Sequence, residues 1–143
     1  MAGQQVERYP LCFGCGTENP IGLRLDMRLE DGQLTAEFFP REEHQGWPGV
    51  IHGGVVAALL YEVLENLSYY LGLFTMTRSM ETRYRRPAAP GNKIVARSRL
   101  VDRSGRILNV SATLTGEEGE LLAEGTATLV VLSQAQKERL GLE

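Results

Sequence analysis

Residues 51–73 constrain the fold more than any other part of the chain. This stretch begins with His-Gly-Gly at 52–54 and continues with an uninterrupted apolar run at 55–60. A helix that is apolar on every side is expected to be buried. Gly72 provides a C-terminal stop for such a helix. The sequence therefore predicts one central helix that the remaining chain must cover.

The start of this helix has the features of an anion-binding site. Gly53 and Gly54 carry no Cβ, so a ligand can approach the backbone N–H groups of the first turn. The helix dipole adds partial positive charge at the same end. An oxygen that is negative, or becomes negative during a reaction, would be well placed there. His52 is interpreted in two ways: it contacts a substrate, or it caps the turn.

A polar stripe follows the apolar run. Glu62, Glu65, Asn66 and Tyr69 are spaced i, i+3, i+4 and i+7, which places them on one helix face. They are either functional carboxylates with their neighbours or an ordinary solvated face.

The rest of the chain reads as strands separated by short turns. Leu23–Leu29 alternates apolar and polar residues, Asp31-Gly32 turns the chain, and residues 34–38 continue the alternation. Four further strands are predicted at residues 76–84, 93–101, 106–114 and 121–132. Long strands with short connections favour an antiparallel meander. In the last strand, small residues at 123, 125 and 127 share one face and leave room for a helix.

These elements predict an α+β fold in which an antiparallel sheet of about six strands curls around the single helix. At 143 residues the chain is expected to be one domain, 1–143, with an ordered core at about 10–132. The polar tail at 133–143 is expected to be a frayed helical turn or disordered. Residues 1–10 lack the apolar core of a signal peptide, and no run is long enough for a membrane span. A cytoplasmic location is the expectation.

Cys12 and Cys15 are the two cysteines of the chain. Their spacing suits a metal half-site or a redox pair, but the chain contains no second cysteine pair. Of its two histidines, His44 and His52, the second already begins the helix. Reduced, structural cysteines are the favoured interpretation, and neither a metal nor a cofactor is predicted.

Several motifs together resemble those of hotdog-fold thioesterases, in particular the PaaI-like branch. In chain order they are Cys-Phe-Gly-Cys-Gly at 12–16, Asn-Pro-Ile-Gly-Leu at 19–23, Val-Ile-His-Gly-Gly at 50–54, Thr-Arg-Tyr-Arg-Arg-Pro at 82–87 and Ala-Glu-Gly-Thr-Ala at 123–127. The resemblance covers about residues 10–132. It implies a hotdog fold and a homodimer or homotetramer with active sites at the subunit interface.

The resemblance also implies roles for particular residues. The backbone at Gly53 and Gly54 would hold the thioester carbonyl. The family pattern has an aspartate nine positions after the histidine, where this chain has Tyr61. A phenol is a poor base at neutral pH. Glu62 is then the first substitute for the missing carboxylate, and Glu65, one turn beyond Tyr61, is another candidate.

Thr77 aligns with a threonine that some relatives direct towards the attacking water across the dimer interface. An ordinary strand threonine is the alternative interpretation. Asn66 is a candidate substrate contact beside the helix carboxylates.

Positive charge is concentrated in one part of a chain whose net charge is −3. The basic residues are Arg78, Arg83, Arg85, Arg86, Lys93, Arg97, Arg99, Arg103 and Arg106. Such segregation suits an anionic partner. The nucleotide end of coenzyme A would fit, with Arg85, Arg86 and Arg103 as candidate contacts. Nucleic acid is disfavoured because no recognition helix or aromatic series accompanies the charge. Arginines that solvate the outer face of strands are the other interpretation.

Together these features predict an acyl-CoA thioesterase in which a helix carboxylate, Glu62, activates water and Thr77 assists. The rival interpretation is a hotdog protein that binds acyl-CoA or a related ligand without hydrolysing it, because Tyr61 replaces the aspartate. A dehydratase is disfavoured since the motif of hydratase-type hotdogs is absent. Aromatic, short and medium acyl chains all stay open.

Overall fold

The computed structural model of the protein describes residues 9–142. The expectation about a signal peptide at residues 1–10 falls largely outside this range, as does Glu143 at the end of the tail. In chain order the helices and strands are β1 (Asp26–Glu30), β2 (Gln33–Phe38), α1 (Gly53–Tyr70), β3 (Thr75–Tyr84), β4 (Ile94–Ser104), β5 (Ile107–Thr115), β6 (Leu121–Val131) and α2 (Gln134–Arg139). A short 3₁₀ turn at Glu42–His44 precedes α1.

The six strands form one antiparallel sheet in the order β1-β2-β4-β5-β6-β3. The predicted α+β fold is confirmed, but the simple meander is wrong. Only β4, β5 and β6 follow one another as neighbours; β2 pairs with β4, and β3 lies at the edge beside β6. The connection between β2 and β3 contains α1 and spans the sheet. One long edge of β3 therefore has no pairing partner among the described strands.

Helix α1 contacts all six strands, because the sheet curls around it. Its fully buried side chains, Leu59, Leu60, Val63, Leu64 and Leu67, form the centre of the core. The small residues of β6 permit this close packing, as the sequence predicted. A Cβ added at Gly125 would lie 3.5 Å from the Cδ1 atoms of both Leu60 and Leu64.

Strand β1 begins three residues later than the alternation predicted, at Asp26. Arg24 adopts a left-handed backbone conformation, with φ of 55°. The backbone before β1 forms its hydrogen bonds with a loop instead of with a strand. The N–H groups of Leu23 and Leu25 donate to the carbonyls of Phe13 and Gly14, at 2.7 and 2.9 Å. Leu23 and Leu25 are buried nonetheless. The loop that contains both cysteines is thereby fastened to the edge of the core.

The C-terminal tail contains the short helix α2, consistent with the predicted helical turn. Ser133 and Gln136 form a reciprocal capping box at its start. Within residues 9–142, neither helix has the length and apolar character needed to cross a membrane.

Candidate active site

His52 caps the first turn of α1. Its Nδ1 accepts a hydrogen bond of 2.8 Å from the N–H of Gly54. The expectation that both glycine amides are bare is therefore wrong for Gly54, and the capping interpretation of His52 describes the geometry. The N–H of Gly53 has no hydrogen-bond partner within residues 9–142, and Gly53 is exposed. One donor at the positive end of the helix thus stays available to a ligand.

Gly53 lines a cavity of about 690 Å³, here called the Gly53 cavity. Its lining includes Trp47, His52, Gly53, Tyr84, Arg85 and Arg86. Tyr84 fixes the wall by donating a hydrogen bond of 2.8 Å from its hydroxyl to the carbonyl of Gly53. Trp47 is 82% exposed, and so offers a large apolar surface at the mouth.

The nine basic residues do not form a single patch. Arg85 and Arg86 line the Gly53 cavity, and Arg85 also pairs with Glu124 at 2.9 Å. Arg103 does not line this cavity. It lies at the β4–β5 turn, where its Nε donates to the carbonyl of Gly105 at 3.0 Å. Arg83 pairs with Glu81 at 2.7 Å on the outer side of the sheet. Two of the three predicted coenzyme contacts therefore share the cavity with Gly53.

A second polar group lies further along α1 and is centred on Glu65. Both oxygens of its carboxylate accept hydrogen bonds from β3: Oε1 from Thr75 at 3.2 Å, and Oε2 from Thr77 by a short bond. The Thr75 hydroxyl is in turn 2.6 Å from that of Ser68. The structure thus joins two predicted residues, Glu65 and Thr77, through a direct contact. This is the Glu65 cluster, which consists of Tyr61, Glu65, Ser68, Thr75 and Thr77.

Burial and hydrogen bonding act in opposite directions on Glu65. Partial burial raises the pKa of its carboxyl above the usual range, and the hydrogen bonds from Thr77 and Thr75 lower it. Tyr61, one helical turn earlier, is 41% exposed and lies beside Thr77. Burial, followed by the nearby Glu65 charge, raises the pKa of the Tyr61 phenol. Tyr61 is therefore a neutral hydroxyl at neutral pH, and Glu65 is the group beside it that is able to accept a proton.

Glu62 is in a different environment and does not belong to a solvated stripe. It is only 9% exposed. Its Oε2 accepts a hydrogen bond of 3.1 Å from the Asn66 amide, which also donates to the Glu62 carbonyl at 2.8 Å. Gly14 covers the carboxylate so closely that a Cβ there would lie 1.9 Å from Cδ of Glu62. Burial raises the pKa of the Glu62 carboxyl.

The predicted residues thus fall into two groups. Gly53, Arg85 and Arg86 lie at the helix start, whereas the Glu65 cluster lies twelve residues further along α1. At a rise of 1.5 Å per residue this is about 18 Å along the axis. Asn66 contacts Glu62 and lies beside the second group.

Sequence reasoning assigned no role to two features at these places. Tyr84 stands out in the sequence only as part of a motif, yet its hydroxyl donates a hydrogen bond to the Gly53 carbonyl. The 12–16 loop likewise stands out only for its motif, yet it covers Glu62. The glycines at 14 and 16 were the available signal, since a loop that packs tightly against a side chain or against itself requires them.

Comparison with known families identifies the chain. The family model of the acyl-CoA thioesterase N-terminal domain matches residues 43–130, a range that contains α1 and β3–β6. The chain belongs to this family. No protein with curated annotation is similar enough in sequence to match it.

Solved structures agree with this membership. A thioesterase superfamily protein superposes with a TM-score of 0.80 at 26% identity, over 85% of this chain; this chain spans only 60% of that protein's length. A putative thioesterase of Ralstonia eutropha, described as related to phenylacetic acid degradation, gives 0.70 at 28% identity, covering 76% and 86% of the two chains. A hypothetical thioesterase of Streptococcus pneumoniae, solved with coenzyme A, gives 0.72 at 18% identity, covering 77% and 90%. The hotdog fold and the PaaI-like resemblance are thereby confirmed.

Proposed function

We propose that the protein hydrolyses acyl-CoA thioesters to a free acid and coenzyme A, with Glu65 as the general base. The observation that carries this proposal is the contact of Glu65 with Thr77 beside Tyr61, the position of the family aspartate. Water would attack the thioester carbonyl carbon and transfer a proton to Glu65. The carbon–sulfur bond would then break, and the coenzyme A thiolate would take up the proton as it leaves. Thr77 and the Tyr61 hydroxyl would orient the water.

The carbonyl oxygen would be held by the Gly53 N–H. A donor at the start of a helix stabilises the negative charge that develops on this oxygen in the transition state. Arg85 and Arg86, in the same cavity, would contact the phosphates of coenzyme A. The Streptococcus pneumoniae relative was solved with coenzyme A, which supports this class of substrate.

The two groups of residues require two copies of the chain. The attacking water and the carbonyl must approach within about 3–3.5 Å. Gly53 and Glu65 are separated by about 18 Å along one helix, so a single chain cannot bring both to one thioester. In a homodimer that pairs the open edge of β3 with its copy, the helix start of one protomer can face the Glu65 cluster of the other. The position of Thr77 on this edge strand supports such an arrangement.

Binding without hydrolysis is the second candidate, and Tyr61 at the aspartate position favours it. A hydrolysis screen against aromatic, short-chain and medium-chain acyl-CoAs, read with a thiol-reactive dye, separates the two. We expect wild-type activity on at least one substrate, and loss of about 10²- to 10⁴-fold in kcat for Glu65→Gln. Glu62→Gln should cause the smaller loss. If Glu62→Gln removes activity and Glu65→Gln does not, Glu62 is the base. An inactive wild type across the panel would favour the binding protein.

A further inference from the structure

The loop above Glu62 brings together three groups that bind metals. The Sγ atoms of Cys12 and Cys15 and a carboxylate oxygen of Glu62 all lie within 4.8 Å of one another. Both cysteines carry thiols. We propose that Cys12, Cys15 and Glu62 form a binding site for zinc that does not include the proposed base Glu65. A tetrahedral zinc ion about 2.3 Å from sulfur and about 2.1 Å from oxygen holds such atoms roughly 3.6–3.8 Å apart. The three ligand atoms, which lie within 4.8 Å of one another, would approach to these distances around the ion.

The backbone of the 12–16 loop holds the two cysteines close together. The N–H of Cys15 points at Cys12 Sγ, at 3.5 Å, where it would stabilise a thiolate. The turn closes so tightly that a Cβ at Gly16 would lie 2.3 Å from the carbonyl oxygen of Pro10. A Cβ at Gly14 would overlap the Glu62 carboxylate itself. Glycine at both positions therefore allows the two cysteines to approach Glu62.

A bound cation would stabilise the buried carboxylate of Glu62. Within residues 9–142, no lysine, arginine or histidine forms an ion pair with Glu62. A buried carboxylate is normally compensated by a cation or by several hydrogen bonds, whereas the side chain of Glu62 receives a hydrogen bond only from Asn66 among these residues. In a metal site that bond has a defined use, since a partner of this kind orients a carboxylate ligand.

The ligand types indicate which metal the site would take. Two thiolates and one carboxylate suit zinc, and three protein ligands leave one coordination position for water or another ligand. Cys12, Cys15 and Asn66 border a cavity of about 180 Å³, which supplies room for that fourth ligand. The ion would link the 12–16 loop to α1, close to the Glu65 cluster. The chain has no second cysteine pair, and the third ligand comes instead from the helix.

Cobalt titration of the full-length protein tests this proposal. Co²⁺ in a site with thiolate ligands gives sulfur-to-cobalt charge-transfer absorption, and excess Zn²⁺ should displace the cobalt and remove the band. Cys12→Ser and Cys15→Ser should lose the band. Glu62→Gln should weaken binding by more than the about 10- to 100-fold typical for loss of an outer-shell partner. Glu18→Gln, which changes an exposed carboxylate of the same segment, is the matched control and should bind as wild type does.

A second measurement uses the wild-type chain, so that a misfolded variant cannot decide the outcome. The chain contains two cysteines, and zinc should slow the reaction of both with a thiol reagent until a chelator is added. A folded wild type without the charge-transfer band, or with thiols that zinc does not protect, overturns the proposal. Unchanged cobalt affinity in folded Glu62→Gln overturns the assignment of Glu62. None of these readouts depends on thioester hydrolysis.

Discussion

The substitution Gly53→Pro removes one hydrogen-bond donor from the proposed carbonyl site and changes little else. Gly53 is the first residue of α1, where proline is well tolerated because the N–H there has no partner within the helix. His52 already has ψ of 133°, the extended conformation that a residue before proline favours. The helix should therefore form as in the wild type, without the Gly53 N–H.

The expected loss follows from the work that this donor would do. Removal of one oxyanion-binding donor typically costs about 10²- to 10³-fold in kcat, or about 2.7–4 kcal/mol of transition-state stabilisation. Gly53→Ala is the matched control because it keeps the N–H. Its Cβ would lie 3.5 Å from the Tyr84 ring, an ordinary contact. Steady-state hydrolysis of the best acyl-CoA should therefore distinguish the two variants, with similar melting temperatures for both.

Coexpression of two differently tagged variants extends this test to the two-protomer site. A heterodimer of Gly53→Pro and Glu65→Gln contains one intact site if each site takes Gly53 from one protomer and Glu65 from the other. Its activity should be about half that of the wild-type dimer. An inactive heterodimer would contradict the shared site. Equal kcat for Gly53→Pro and Gly53→Ala would refute the role of the Gly53 N–H.

Three further changes test the remaining assignments. Thr77→Val removes a hydrogen bond that lowers the pKa of Glu65. If Glu65 is the base, hydrolysis falls as Glu65 becomes protonated, so the acid limb of the kcat/KM profile should move to higher pH. An unmoved limb would mean that this hydrogen bond does not set the pKa of the base. Combined Arg85→Ala and Arg86→Ala should raise KM for CoA thioesters, and the effect should exceed that for N-acetylcysteamine thioesters; equal effects would mean that these arginines only support the fold. Tyr61→Asp should lower hydrolysis by placing a second carboxylate beside Glu65. If the wild type is inactive and Tyr61→Asp makes it active, the wild-type protein binds its ligand without hydrolysing it.

Periodicity was sufficient to predict the elements of the fold. The apolar run of α1 and the alternation in the strands reflect burial, and burial is decided by the whole sheet around the helix. Strand order was less accessible, because alternation identifies a strand without identifying its neighbours. The late start of β1 could not be predicted either. It depends on hydrogen bonds from Leu23 and Leu25 to a loop ten residues earlier in the sequence.

Sequence patterns select candidate residues for a site, but they do not show which contacts those residues make. The motif identifies His52, but only the structure shows that its Nδ1 accepts a hydrogen bond from the Gly54 N–H. The i, i+3 spacing places Glu62 and Glu65 on one helix face, yet their contacts differ. Gly14 covers Glu62, and Thr77 donates a hydrogen bond to Glu65. Helical spacing assigns a side chain to a face. It does not show which loop or strand packs over that face.

The replacement of the family aspartate by Tyr61 is compatible with catalysis for a geometric reason. Tyr61 and Glu65 are four residues apart and lie on the same helix face, so a catalytic Glu65 would place the carboxylate one turn further along, about 6 Å along the axis. Thr77 donates a hydrogen bond to Glu65 and lies beside Tyr61. A glutamate is also one methylene longer than an aspartate and recovers part of that axial distance. In the proposed mechanism, the water would therefore lie between the Tyr61 hydroxyl and Glu65, and the Gly53 N–H of a second protomer would still hold the carbonyl.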